Sequence, residues 1–173
     1  MNVFELPASD PALIANWSPL LIANDGTKVV QTPFVASVTN TPGDPRTVGG
    51  GNDSVGGVEE IRGANPDLFE GQFYQIPQAV AKEISGWMCE ELSVYLINEK
   101  NQIGGIIDDH DSPGEFRGIP IARKTFFIGS KGFGGFDNRD ANAFRFQVIP
   151  EIMFDFHVIS PTDFRPLDRL PTS

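Results

Sequence analysis

Cysteine is almost absent from this sequence. Cys89 stands alone, so no disulfide can close within the chain, and a cysteine-based zinc site would have to be shared between copies. Basic residues are also scarce: 13 Lys and Arg face 23 Asp and Glu, a formal net charge of −10. Holding nucleic acid through its phosphates needs clustered Lys and Arg, and docking on an anionic membrane needs the same. Both are disfavoured, although a surface that DNA slides past without binding fits an acidic protein. Tyr and Trp number two each against 14 Phe, a skew that predicts a core or an interface built from Phe. No apolar run is long enough to cross a bilayer. The opening "MNVFELPASDPALIANWSPLL" has neither the basic start nor the unbroken apolar stretch of a secretory signal. The expectation is a protein made and kept in a cytoplasm, or assembled from one. Its 173 residues suffice for one domain, or a domain with a long arm, around a sizeable core.

Composition divides the chain near residue 64. Residues 1–40 carry Pro7, Pro11, Pro19 and Pro33 and read as an extended arm with short strands, among them "TKVVQTPFVASVT" after the turn "NDGT". Residues 41–57, "TPGDPRTVGGGNDSVGG", are dominated by Gly and Pro and predict a long mobile loop or arm. From residue 65 the pattern becomes that of a folded domain. "PQAVAKEISGWMCEE" puts Val80, Ile84, Trp87 and Met88 at helical spacing, with Pro77 suited to a first turn. Strands come next. "LSVYLI" and "QIGGII" flank "NEKN" as a hairpin, and "RKTFFIG" reads as a third strand. "AFRFQVI" alternates Phe144, Phe146 and Val148 against Arg145, Gln147 and Ile149. "IMFDFHVI" alternates Ile152, Phe154, Phe156 and Val158 against Met153, Asp155, His157 and Ile159. The expected fold is α+β and mostly β: an antiparallel, sandwich-like domain over 65–173 with one flanking helix, preceded by the arm and loop of 1–64.

The stretch "FIGSKGFGGFDNRDANAFRF" tests whether this is a nucleotide-binding protein. Gly129, Gly132, Gly134 and Gly135 surround Lys131. A phosphate-binding P-loop places Gly-Lys-Ser/Thr after its glycines and runs into a helix, whereas here Ser130-Lys131 precedes them. A dinucleotide loop needs a further Gly at 137, where Asp stands. The next residues, "FDNRDANAFRFQV", read as a turn running into a strand, so no helix N-terminus is predicted to hold a phosphate. The glycines are expected to supply positive φ in a strand-to-strand connection.

Other candidate chemistry is sparse. "DDHDSPGE" gathers Asp108, Asp109, Asp111 and Glu115 around His110, a density of carboxylates that could hold Ca²⁺, but without the spacing of an EF-hand. A charged loop at a hairpin end is more simply solvated. The second histidine, His157, lies in an alternating strand. Glu59-Glu60 and Glu90-Glu91 are sequence neighbours, and neighbours on a strand face opposite ways. No GxSxG nucleophile motif occurs. No catalytic, cofactor-binding or metal-ligating residue is therefore assigned, and a non-enzyme is expected.

Several short motifs, in order, carry a resemblance. "WMCEELSVYLINEKNQIGGI" brings a helix to an end at Cys89 and enters a hairpin with a polar turn at Asn98–Asn101. "FFIGSKGFGGFDNRDANAFRFQV" has a Phe-led strand, a Gly-Gly turn and an Asp/Asn/Arg loop over Phe126–Asp140, then an alternating strand. "VISPTDFRPLDRL" closes with V-x-x-P-T-D-F at Val158–Phe164. Over roughly 77–170 this resembles virion structural proteins of tailed phages, particularly those of Bacteroidetes hosts. The chain departs from that pattern at "PEIMFDFHV", where such proteins often carry a Trp-Ser-Asp turn, so its last strand is expected to pair differently.

The resemblance implies assembly rather than catalysis: a virion subunit present in many copies, partnered by itself and other virion proteins, and assembled in the host cytoplasm. A tail-tube or head–tail connector place is preferred, with a capsid-decorating or minor capsid protein as the alternative. In a tube, the acidic loop 108–115 and Asp137 and Asp140, the latter diluted by Arg139, would face passing DNA. A monomeric carbohydrate- or ion-binding β module is the competing class, and a hydrolase with a dispersed site the third.

Overall fold

The structure, a computed structural model, describes residues 3–5, 10–108, 114–135 and 139–169. In chain order the elements are β1 (Val3–Glu5), α1 (Ile14–Leu21), β2 (Val35–Thr41), β3 (Pro45–Gly49), β4 (Glu59–Ala64), β5 (Asp67–Tyr74) and α2 (Gln78–Gly86). There follow β6 (Ser93–Val94), β7 (Leu96–Ile97), β8 (Ile103–Asp108), β9 (Glu115–Arg117) and β10 (Ile119–Pro120). The chain continues with β11 (Phe127–Ile128), β12 (Ala141–Val148), β13 (Phe156–Ile159) and α3 (Pro166–Arg169). Every strand pairing among the described residues is antiparallel, so the protein is α+β and mostly β, with three helices where one was expected.

Two compact units share the chain. One comprises Met1–Phe34, Glu90–Arg123 and Ile152–Ser173, the other Val35–Cys89 and Lys124–Glu151. The composition shift near residue 64 does not coincide with a seam between them.

In the first unit, β8 is the hub of a five-stranded sheet. Ile103 pairs with both Ile159 of β13 and Ile97 of β7, and Ile106 with both Phe156 of β13 and Arg117 of β9. A strand has only two edges, so β7 and β9 lie end to end along one edge of β8 and β13 takes the other. The turn at 98–101 forms as expected. The Asn98 side-chain oxygen accepts the backbone N–H groups of Lys100 and Gln102 at 2.9 and 3.0 Å, and Asn101 takes φ 60°. Phe4, Trp17, Ile103, Phe116 and Phe164 form the core, with Tyr95 edge-on to Trp17 at 5.0 Å.

The arm expected over 1–40 instead contains α1. Its four prolines favoured extended backbone, and Pro19 lies inside the helix, where it removes a hydrogen bond. Tertiary contacts override that preference. Trp17 is 1 % exposed and its indole N–H donates to the Pro11 carbonyl at 2.8 Å. The Ile14 N–H donates to the carboxylate of Asp163, far along the chain, at 3.0 Å, satisfying an orphan donor of the first turn. The strand expected over 152–159 is half-formed. Ile152–Asp155 makes a 3₁₀ turn and only Phe156–Ile159 pairs, which leaves Phe154 86 % exposed.

The second unit is built on a four-stranded sheet in the order β11-β12-β5-β2. The alternation read in β12 holds: Asn142, Phe144, Phe146 and Val148 are buried while Ala143 and Arg145 face solvent. Across β5 and β12, Phe69 stacks on Phe146 at 5.1 Å and Phe73 meets Phe144 at 4.8 Å. Four of the 14 Phe therefore serve a ladder inside one sheet. The expected helix is α2, begun by Pro77 as its cap residue. It buries Ile84 and half-buries Val80, with Trp87 and Met88 half-buried just beyond its end.

Residues 41–57 are not a structureless loop. β3 pairs with β4 in a separate two-stranded ribbon, its register running from Pro45↔Ala64 to Gly49↔Glu59. The ribbon tip is two 3₁₀ turns, Gly51–Asp53 and Val55–Gly57, closed by Ser54, whose hydroxyl donates to the Val58 carbonyl at 2.6 Å. Gly50, Gly51, Gly56 and Gly57 take φ of 98°, 57°, 78° and 69°, which glycine adopts without a Cβ penalty. The residues that suggested mobility instead permit a tight tip.

Candidate interaction surface

The solvent face of the four-stranded sheet carries a row set by register. Phe127 pairs with Arg145, Arg145 with Glu70, and Glu70 with Thr39. Directly opposed side chains on one face lie about 5 Å apart at Cβ, so the four form one line across all four strands. The Arg145 guanidinium sits over the Phe127 ring, 5.7 Å from its centroid. A bulge widens the β2 end of this row: Ser37 and Val38 together oppose Gly71, and Ser37 takes φ 53°. The result is a shallow groove of about 570 Å³ lined by Ser37, Thr39, Glu70, Gln72, Phe127 and Arg145. It offers an aromatic face, a cation, a carboxylate and an amide. A second open depression, about 490 Å³, lies in the first unit along residues 161–168.

Alternation alone put Arg145 on the solvent side of β12. Glu70 and Thr39 were invisible as its partners, because the register that aligns them is a tertiary fact.

The glycine stretch departs from expectation. Gly129 donates its N–H to the Ala143 carbonyl at 2.7 Å, and Gly132 exchanges both backbone hydrogen bonds with Ala141 at 2.8 and 3.1 Å. These two glycines continue the pairing of β11 with β12 and do not adopt positive φ; Gly135 does, at 70°. Lys131 is exposed, and the chain enters β12 rather than a helix. Asn142, 2 % exposed, donates to the Gly129 carbonyl at 3.0 Å, fixing this connection from below.

Of the acidic candidates, Asp109, His110, Asp111 and Asp137 lie outside the described residues. Asp108 pairs with Glu115 where β8 meets β9, so these two antiparallel strands form a hairpin. Asp140 braces a turn, its carboxylate accepting the Gly134 N–H at 3.2 Å. Arg139 is exposed. Glu59 and Glu60 lie on the ribbon, Glu60 paired with Arg62 at 2.8 Å. Glu91 meets Arg123 at 3.3 Å, and Glu90, His157 and Cys89 are exposed. Among the described residues no three His, Cys, Asp or Glu side chains come close enough to hold a metal, and no helix is long and apolar enough to cross a membrane.

Two further surfaces stand out in the second unit. The ribbon is exposed almost throughout, with Val48, Val58 and Ile61 turned to solvent, Ile61 at 71 %. The β11 flank exposes Phe127 and Phe133, the latter at 84 %, and the same stretch of chain carries the exposed Lys124, Lys131 and Arg139. Compared with models of protein families, with curated proteins and with solved structures, the chain matches none.

Proposed function

We propose that this protein is a non-enzymatic structural subunit of a tailed-phage virion that self-assembles in many copies, in a tail-tube or head–tail connector place. The observation that carries this is the ribbon. An isolated two-stranded hairpin is marginal in water, and this one exposes apolar side chains and leaves both outer strand edges unpaired among the described residues. Such an element gains its stability by docking on a partner. The net charge of −10 suits a wall past which DNA moves without being held. A capsid-decorating or minor capsid place uses the same self-association and differs in location within the particle.

Sedimentation velocity over a wide concentration range, with negative-stain microscopy of the heaviest fraction, tests this. Rings or short tubes are expected. A chain that stays monomeric at every concentration overturns it. The groove beside Phe127 favours one other class, a monomeric carbohydrate-binding module, because an aromatic face with flanking acid and amide groups suits a sugar ring. Saturable glycan binding by a monomer, lost in Phe127→Ala, would establish that class instead.

A further inference from the structure

We propose that the β3–β4 ribbon is an assembly arm that seats on the β11 flank of a second copy of this chain. The proposal deepens the structural-subunit reading and rests on it. The two surfaces complement each other in charge. Residues 44–64 carry Asp44, Asp53, Glu59 and Glu60 against Arg46 and Arg62, while residues 124–145 carry Lys124, Lys131, Arg139 and Arg145 against Asp137 and Asp140. In a chain of net charge −10 the flank is net basic and the arm net acidic, so the two attract. Each face of the arm also exposes an apolar side chain, Val48 on one and Ile61 on the other, against Phe127 and Phe133 on the flank. Backbone complementarity adds to this. Among the described residues each strand of the ribbon has one unpaired edge, so the arm retains main-chain groups for pairing with a second copy.

Topology places the two surfaces apart. The ribbon springs from the β2–β5 side of the sheet, with Gly43 donating to Asp67 at 2.8 Å and Asn65 to Asp44 at 2.9 Å at its base. β11 is the opposite edge, three strand spacings or roughly 14 Å away. Donor and acceptor are therefore different surfaces of one copy, so the contact either passes from copy to copy into a ring or filament or closes as a reciprocal exchange of arms between two copies, and the sedimentation series separates the two.

Charge reversal tests the contact. One variant combines Glu59→Lys with Glu60→Lys, which lie on opposite faces of the ribbon, so that whichever face docks is reversed; a second combines Lys124→Glu with Lys131→Glu, and a third carries all four changes. All four positions are exposed, and circular dichroism confirms that each variant is folded. Sedimentation velocity is expected to show each two-site variant needing about tenfold more protein, or more, for half-assembly, because like charges then face each other across the contact. The four-site variant is expected to assemble near the wild-type concentration. If the wild type assembles and the two-site variants assemble equally well, the arm-to-flank contact is overturned while the subunit reading stands. If the wild type never assembles, both fall.

Discussion

The ring of Phe144 lies across Gly71, the residue it faces on β5. A Cβ placed on Gly71 would come within 2.6 Å of the Phe144 Cζ. Glycine weakens a strand, and an aromatic ring from the neighbouring strand recovers the lost packing. The same device recurs in the first unit, where Phe156 covers Gly104 and Phe116 covers Gly105, each with an approach of 2.6 Å. Phe and Gly abundance in this chain thus have partly one cause: strand glycines make room for rings.

Gly71→Ala is therefore expected to destabilise the second unit by about 1–3 kcal/mol through overpacking. Phe144→Ala removes the ring and leaves a cavity, with a cost of about 3–5 kcal/mol. Urea unfolding of both variants measures this. An unchanged Gly71→Ala midpoint would show that the ring can rotate away freely.

A stricter glycine stands at the base of the ribbon. A Cβ on Gly43 would lie 1.8 Å from the Asn65 carbonyl oxygen, and backbone cannot step aside as a side chain can. Gly43→Ala should open the ribbon base while sparing the four-stranded sheet. Amide exchange is expected to quicken across 45–49 and 59–64 and to stay slow in β12. Uniform loss of protection would mean that the ribbon base supports the whole unit.

Tyr95 yields a pH dependence. Burial against Phe4, Trp17 and Phe116 raises its phenol well above the ordinary value, and a hydrogen bond with the Gly118 backbone offsets only part of that. Above about pH 10 the unfolded chain releases this proton while the folded one keeps it, so stability falls as pH rises. In the Tyr74→Phe variant, phenolate absorbance should appear only as the protein unfolds in alkali. A reversible step at ordinary tyrosine pH with the fold intact would contradict the burial argument.

The glycine loop is expected to bind no nucleotide. Lys131 stands in a strand connection, and the chain after it runs into β12, not into a helix that could face a phosphate. Calorimetry with ATP, GTP and NAD should register no binding heat. A micromolar site abolished by Lys131→Ala would reverse this assignment.

Local pattern was enough to specify much of this protein. The two-residue period of "AFRFQV" placed Phe144, Phe146 and Val148 inward and Arg145 outward, because successive side chains on a strand must alternate. Polar turn chemistry located the hairpin at Asn98–Asn101, and helical spacing located α2. The glycine motif was legible as a strand-to-strand connection because its residue order departs from that of a phosphate loop. The remaining features depended on partners distant in the chain. α1 forms despite Pro19 because Trp17 finds a buried site and Asp163 caps the helix, neither of which local propensity contains. Residues 152–155 alternate like a strand yet make a 3₁₀ turn, and pairing with β8 begins only at Phe156, so alternation by itself does not confer a strand. The ribbon, the row through Phe127, Arg145, Glu70 and Thr39, and the placing of arm and flank on opposite edges all depend on strand order and register. Those are set by hydrogen bonds between segments far apart in sequence, so only the tertiary structure could decide them.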